Sequence, residues 1–287
     1  MNKLLSIIIY LFSLLPFKVL YFLSDLLYYI LYYVIHYRER IVTINIQNAF
    51  PEKSALEKKK IVKKYYRFLA DLIFEVIKMR SISASEMRKR LTIVNTEEYF
   101  QYMNNNTPIM MVTAHYGNWE WGIPMAALLS DNPTLIIYKP LNNKKFEILF
   151  NKMRTRFGGI MVPMKQTFRK IMEYKHQVHT SVFLADQTPA FHESDVFIDF
   201  LNQPTLVFKG IEKIAKKTSF PIVFCHIDRI KRGYYQAKFT TLVKQPQRYE
   251  EHEITILYNR FLEDIIRQKP ELWLWSHKRW KHKPAHD

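Results

Sequence analysis

The sequence predicts an α/β fold, a central mixed sheet flanked by helices, with a membrane-associated helical segment in front of it. Three observations predict it. From residue 108 onward, short apolar runs alternate with helix-like amphipathic runs. The first 35 residues are dominated by two apolar stretches. The chain has 287 residues and is 48% hydrophobic, enough to bury the core of one large domain.

The first apolar stretch, residues 4–15, is too short to span a bilayer. Pro16-Phe-Lys18 interrupts, and residues 19–35 follow, rich in Leu, Tyr and Ile with Asp25 inside. Six tyrosines between positions 21 and 37 suit the headgroup level, where one face of a helix is wet. No small-x-small cleavage site follows, which argues against a removed signal peptide. Residues 1–37 therefore read as membrane anchor helices lying in, or dipping into, one leaflet. A single span and a buried helix pair are the alternatives.

Residues 38–287 read as a single α/β domain with an N-terminal helical portion at about 54–90. Residues 38–50 look like a polar-apolar connection. Ser54-Ala-Leu-Glu57 reads as a capping box. The helix it opens runs to about Lys78, with Val62, Tyr65, Tyr66, Leu69, Ile73, Val76 and Ile77 on one stripe. Lys58, Lys59, Lys60, Lys63 and Lys64 crowd its first turns, as a solvated face or as contacts to membrane phosphates. Strands are expected at 109–114, 134–138, 181–185, 221–227 and 235–242. Helices are expected at 120–129, 144–157, 167–175, 208–217 and 253–269.

Lys and Arg number 43 against 26 acids, a net charge of +17. That favours an anionic partner: a phospholipid surface, an acidic carrier protein, a phosphorylated lipid or nucleic acid. The apolar first 35 residues speak against free nucleic-acid binding. Cys225 is the single cysteine, so no intrachain disulfide forms and a reducing compartment is consistent. No Gly-x-Gly-x-x-Gly, Walker loop or Gly-x-Ser-x-Gly elbow is present. A base without an evident protein nucleophile suggests direct transfer between two bound substrates.

The candidate chemistry centres on Ile109-Met-Met-Val-Thr-Ala-His115-Tyr-Gly-Asn-Trp-Glu120. It places an imidazole and a carboxylate five positions apart, after a strand and before a helix. Such a pair suits a general base, the carboxylate fixing the tautomer and steadying the imidazolium. A core or helix-capping histidine is the bland alternative. Asp186 closes an apolar strand, facing a cleft or serving as a turn residue. Arg154, near a helix end, suits a phosphate or developing oxyanion, or the helix dipole. Arg156 reads the same way with less support. His176 and His179 sit three apart on an expected helix, but no recognised zinc spacing appears and no metal is expected. The C-terminal segment 272–284 interleaves three tryptophans with basic side chains, suited to stacking, a lipid interface or a packed terminal helix.

Several segments, in order, resemble the late acyltransferases of lipid A biosynthesis, within the lysophospholipid acyltransferase superfamily. Asn45-Ile-Gln-Asn-Ala-Phe-Pro51 resembles the family's Asn-x-x-x-x-Phe-Pro element, and His115-Tyr-Gly-Asn-Trp-Glu120 its His-Phe-Gly-Asn-Trp-Glu motif. Tyr138-Lys-Pro140 resembles its Tyr-Arg-Pro stretch, Lys139 keeping the charge but losing the bidentate fork. Arg154 falls where the family places an arginine before a glycine-containing turn. Ala185-Asp-Gln187 resembles its Asp-Gln element, and Pro270-Glu-Leu-Trp-Leu-Trp-Ser-His-Lys-Arg-Trp-Lys281 its ending. One departure is Asp199-Phe-Leu-Asn-Gln-Pro204, which lacks the glycine of the family's Phe-Phe-Gly element.

The resemblance implies an O-acyltransferase at the cytoplasmic face of a bacterial inner membrane. The donor would be a fatty acyl chain on acyl carrier protein, and the acceptor a hydroxyl of a phosphorylated lipid A precursor. His115 would be the base and Glu120 its orienting partner. Asn118, Lys139, Arg154, Asp186 and Gln187 would bind substrate or support the site. No metal or other cofactor is implied. A lysophospholipid, aminolipid or other glycolipid acceptor, served from acyl-CoA, is the neighbouring alternative, and a non-enzymatic basic module a more remote one.

Overall fold

The computed structural model describes residues 3–284; residues 1–2 of the expected anchor and 285–287 of the expected domain lie outside the described residues. Two apolar helices open the chain, α1 (Lys3–Leu14) and α2 (Phe17–Tyr29), the second continuing through a π-helical turn at Ile30–Val34. Phe17–Val34 is long and apolar enough to cross a membrane, with a mean hydropathy of 1.3. Yet one face of it is bonded to the rest of the protein. Ser24 Oγ donates to Asp71 (2.6 Å), and Tyr21 Oη donates to Glu75 (2.9 Å). Arg232 bridges Asp25 and Asp71. Its other face presents Val19, Phe22, Leu26, Tyr29 and Ile30, alongside Ile7, Ile8, Leu11 and Leu14 of α1, all exposed.

Residues 38–50, expected as a connection, form a helix, α3 (Glu39–Ala49). Val42, Ile46 and Ala49 recur at i, i+4 and i+7 and are buried, while polar residues between them dilute the pattern. The capping box at Ser54 is present: Ser54 Oγ accepts from the Glu57 N–H, and Glu57 Oε2 accepts from the Ser54 N–H. It opens α4 (Ala55–Lys78), whose buried stripe includes Ile61, Val62, Tyr65, Phe68, Leu69 and Leu72. Each such side chain contributes about 1.5–3 kcal/mol on burial, which is why α4 serves as the platform for α1 and α2. Then come α5 (Ala84–Arg90), β1 (Leu91–Val94) and α6 (Glu97–Asn104).

The alternating half follows: β2 (Ile109–Thr113), α7 (Trp119–Ala127), β3 (Thr134–Tyr138), α8 (Lys144–Arg154), β4 (Ile160–Pro163), α9 (Thr167–Glu173) and β5 (Thr180–Leu184). A small antiparallel hairpin, β6 (Phe197–Phe200) and β7 (Gln203–Leu206), precedes α10 (Gly210–Thr218). The chain closes with β8 (Ile222–Lys231), β9 (Tyr234–Val243), α11 (Glu253–Gln268) and an irregular segment after a single 3-10 turn at Pro270–Leu272. His176 and His179 are not on a helix; His179 immediately precedes β5.

Seven strands form one sheet in the order β1-β9-β8-β2-β5-β3-β4. Five of them, β8 to β4, run parallel; β9 is antiparallel to β8, with β1 parallel to β9 at the edge. This is the mixed sheet that the alternation predicts. The central strands β2 and β5 are buried along most of their length, as a sheet covered on both faces requires. Their register pairs Thr113 with Leu184, so the residues just beyond both C-terminal ends emerge side by side.

Candidate active site

His115 lies two residues beyond the end of β2, and Asp186 two beyond the end of β5. Parallel pairing therefore brings them together although 71 positions separate them. The Ala185 N–H donates to the Thr113 carbonyl (3.0 Å), carrying the ladder one step past the strands. His115 Nδ1–H then donates to Asp186 Oδ1 (2.7 Å), and the His115 backbone N–H donates to Asp186 Oδ2 (3.0 Å). Trp273 Nε1–H donates to the same Oδ2 (2.8 Å). Burial pushes the Asp186 carboxyl up, but the attraction of His115 and the bonds from His115 and Trp273 outweigh it and hold it below the usual carboxylate value. A carboxylate that only accepts fixes the tautomer, with the proton on Nδ1 and a lone pair on Nε2. The Gln187 side-chain amide donates to that lone pair (3.0 Å). The imidazole packs edge-on to Trp119 and keeps 15% of its side chain exposed.

The expectation that Glu120 orients the imidazole needs correction, because both ring nitrogens have other partners. Glu120 is on the first turn of α7, turned toward α8, where Arg154 takes both of its oxygens: Nε to Oε2 (2.9 Å) and Nη2 to Oε1 (2.6 Å). Burial works against the Arg154 charge, yet Glu120 more than compensates and raises its pKa. Arg154, expected to meet a phosphate, an oxyanion or the helix dipole, is committed to a bidentate pair that ties α7 to α8.

Asn118 caps α7, its Oδ1 accepting from the Trp121 N–H (3.0 Å), and its Nδ2 donates to Glu75 (2.7 Å). Tyr235 and Tyr21 also donate to Glu75 (2.6 and 2.9 Å), a fully buried acid whose carboxyl burial pushes up to about 7. The helix bearing Glu120 is therefore anchored through α4 to α2. Lys139 is exposed just past β3 and makes no hydrogen bond or ion pair among the described residues, so the structure does not join it to this cluster.

Gly117 shapes the loop between β2 and α7. Its φ is +59°, and a Cβ there would fall 1.8 Å from the Ile227 carbonyl oxygen, so no other residue fits. The C-terminal segment clamps this loop. The Gly117 N–H donates to the Leu272 carbonyl (3.0 Å), the Leu274 N–H to the His115 carbonyl (3.1 Å), and Tyr116 bridges Trp273. Asn45 of α3 in turn donates to the carbonyls of Trp275 and His277 (2.9 and 3.0 Å). Of the three tryptophans, expected to stack, to meet a lipid interface or to pack on a terminal helix, Trp273 and Trp275 are buried edge to face in a non-helical segment, with Trp273 bonded to Asp186. Sequence reasoning missed this role of Trp273, for which an indole donor beside a buried acid leaves no local signal.

Two other groups are excluded as rivals to His115. His277 accepts from the Thr188 N–H (3.2 Å), and burial pushes its pKa down to about 4. Cys225 is buried on β8, its thiol pushed up to about 12, so it is no thiolate nucleophile. What remains is an imidazole oriented by a buried carboxylate, its Nε2 lone pair met by the Gln187 amide: an arrangement able to take a proton from a hydroxyl that displaces the amide.

The bacterial lipid A biosynthesis acyltransferase family model matches residues 3–282. The lipid A biosynthesis palmitoleoyltransferase of Escherichia coli K12 is 22% identical over 273 residues, 94% of this chain and 88% of that protein. A lipid A biosynthesis acyltransferase of Haemophilus influenzae is 21% identical over 236 residues, covering 80% and 72%. The lipid A biosynthesis myristoyltransferase of Escherichia coli K12 is 21% identical over 244 residues, covering 82% and 73%. With a match that runs through the two N-terminal apolar helices, the His115 loop and the tryptophan clamp alike, the chain belongs to the bacterial lipid A biosynthesis acyltransferase family.

Proposed function

We propose that this enzyme moves a fatty acyl chain from acyl carrier protein to a hydroxyl of a lipid A precursor at the cytoplasmic face of the inner membrane. His115 acts as the general base and Asp186, rather than Glu120, holds it. The observation that carries the reading is the 2.7 Å bond from Nδ1 to Asp186, which leaves the Nε2 lone pair for the acceptor. The acceptor hydroxyl displaces the Gln187 amide and gives its proton to Nε2. Its oxygen attacks the thioester carbon, the carbon–sulfur bond breaks, and the departing thiolate recovers the proton from the imidazolium. Asp186 stabilises that imidazolium across a buried bond. No acyl-enzyme forms, in keeping with the un-ionised Cys225.

The exposed apolar faces of α1 and α2 support attachment within one leaflet, since the opposite face of α2 is bonded to Asp71, Glu75 and Arg232. The net charge of +17 suits an acidic carrier protein and an anionic membrane. The test is mass spectrometry of lipid A and total phospholipid from cells carrying the wild-type gene, no gene, or His115→Ala. Loss of one acyl chain from lipid A in the last two, with the variant still in the membrane fraction, is the expected result. An unchanged lipid A beside altered phospholipid would overturn the acceptor assignment, and full activity of His115→Ala would overturn the base.

A further inference from the structure

Several of the fifteen arginines sit against a carboxylate. Arg90 pairs with Glu86, Arg154 with Glu120, Arg229 and Arg232 with Asp71, and Arg267 with Glu263. Arg80 and Arg156 have no acidic partner among the described residues, and the bond from Arg156 to the Met79 carbonyl places the two together. Both are half-buried and close enough to repel: burial first, then the Arg80 charge, lowers the pKa of Arg156. Arg80 Nε is buried with no hydrogen-bond acceptor. Arg156 Nη1 donates to the Met79 carbonyl, which fixes the guanidinium and leaves its other donors uncommitted. Two like charges held together in partial burial weaken the fold, and the described chain sets only two aromatic rings, Tyr10 and Phe157, and the Met79 carbonyl against them.

Their position gives the cost a purpose. Arg80 lies over the ring of Tyr10 in α1 (5.6 Å to the centroid), at the edge of the exposed apolar face formed by Ile7, Ile8, Leu11 and Leu14. Arg156 follows Arg154, the partner of Glu120, by two residues. The pair therefore stands between the lipid-facing helix and the helix that carries Glu120. We propose that Arg80 and Arg156 form a binding site for a phosphate monoester on an amphiphile headgroup. Resting on the function proposed above, the phosphate is that of the glycolipid acceptor, gripped while its sugar hydroxyl reaches His115. A dianion cancels the mutual repulsion, and its three oxygens suit two guanidinium forks, whereas a phosphodiester offers less charge and fewer oxygens.

The experiment has two arms, on the full-length detergent-purified protein and on Arg80→Gln, Arg156→Gln and Arg156→Lys. In the first, acyl transfer is measured with a phosphorylated disaccharide acceptor and with its dephosphorylated form. Each Gln variant should raise KM for the phosphorylated acceptor by about 10- to 100-fold, the worth of one or two charge-assisted bonds, with a much smaller change in kcat. Arg156→Lys should recover part of the loss, and the penalty should vanish on the dephosphorylated acceptor. Equal penalties on both acceptors would overturn the site. In the second arm, binding is measured to phosphatidylcholine vesicles doped with phosphatidic acid, a monoester, or with phosphatidylglycerol, a diester. The wild type should prefer phosphatidic acid, and the Gln variants should lose that preference with a melting temperature equal to or above that of the wild type. If the wild type acylates neither disaccharide, the acceptor reading fails, and the vesicle arm alone decides the phosphate site. No preference in the wild type, or one that survives both substitutions, overturns it.

Discussion

Replacing Asp186 by asparagine is the sharpest test of how His115 is held. The carboxylate accepts three hydrogen bonds: from His115 Nδ1 on Oδ1, and from the His115 backbone N–H and the Trp273 indole on Oδ2. An asparagine keeps the last two only by turning its carbonyl oxygen toward them. Its amide N–H₂ then faces Nδ1, and a donor there forces the ring to present a lone pair on Nδ1 and a proton on Nε2. That is the wrong tautomer for a base. In a comparable acid–imidazole pair the same exchange costs about 10,000-fold in turnover, or roughly 5.5 kcal/mol of barrier. The expected outcome is a loss of this order in kcat, with KM for both substrates nearly unchanged. A second readout is acid stability. The Asp186 carboxyl is held below its unfolded value, so its contribution is full above the unfolded pKa and disappears as pH falls through the folded one. The variant should lose that acid-side slope below about pH 4. Turnover is measured with acyl carrier protein thioester and a lipid A precursor, and unfolding by fluorescence. A variant retaining more than about a tenth of wild-type turnover would refute the tautomer argument.

Three further outcomes separate the supporting residues. Glu120→Gln leaves a mostly buried guanidinium without its counter-charge, so it should cost about 3 kcal/mol and lower Tm by roughly 6 °C, as seen by circular dichroism. A variant with wild-type Tm but no activity would instead return Glu120 to the chemistry. Gly117→Ala drives a Cβ into the Ile227 carbonyl, so the chain should fail to accumulate as soluble or membrane-bound folded protein; normal yield with normal activity would contradict the loop geometry. Trp273→Phe keeps the ring and removes one bond to a charged acceptor, about 1.5–3 kcal/mol, and should reduce both stability and kcat, measured by the same two assays. No change in either would mean that the indole does not support Asp186.

How far the site could be read from sequence follows from where its contacts lie along the chain. The strand before His115 and the helix after it are legible because a short apolar run bounded by polar turn residues is a local signal, and β3 at Thr134–Tyr138 is legible for the same reason. The capping box at Ser54 was legible on the same ground. The resemblance made His115, Glu120, Arg154 and Asp186 stand out as a set, but a motif names members without saying which touch. Glu120 looked like the partner because it is five positions away, whereas the true neighbour comes from β5, next to β2 by a strand order that no local pattern encodes. Asn45 makes the same point. Its bonds to Trp275 and His277 join two distant motifs into one clamp, and α3, which presents it, was misread as a connection. Arg156 was underweighted beside Arg154 for the complementary reason. In sequence both are arginines near a helix end, and only the fold reveals that Glu120 neutralises one and leaves the other beside Arg80. Unsatisfied charge is a property of three-dimensional surroundings, and it separates two arginines that look alike in sequence.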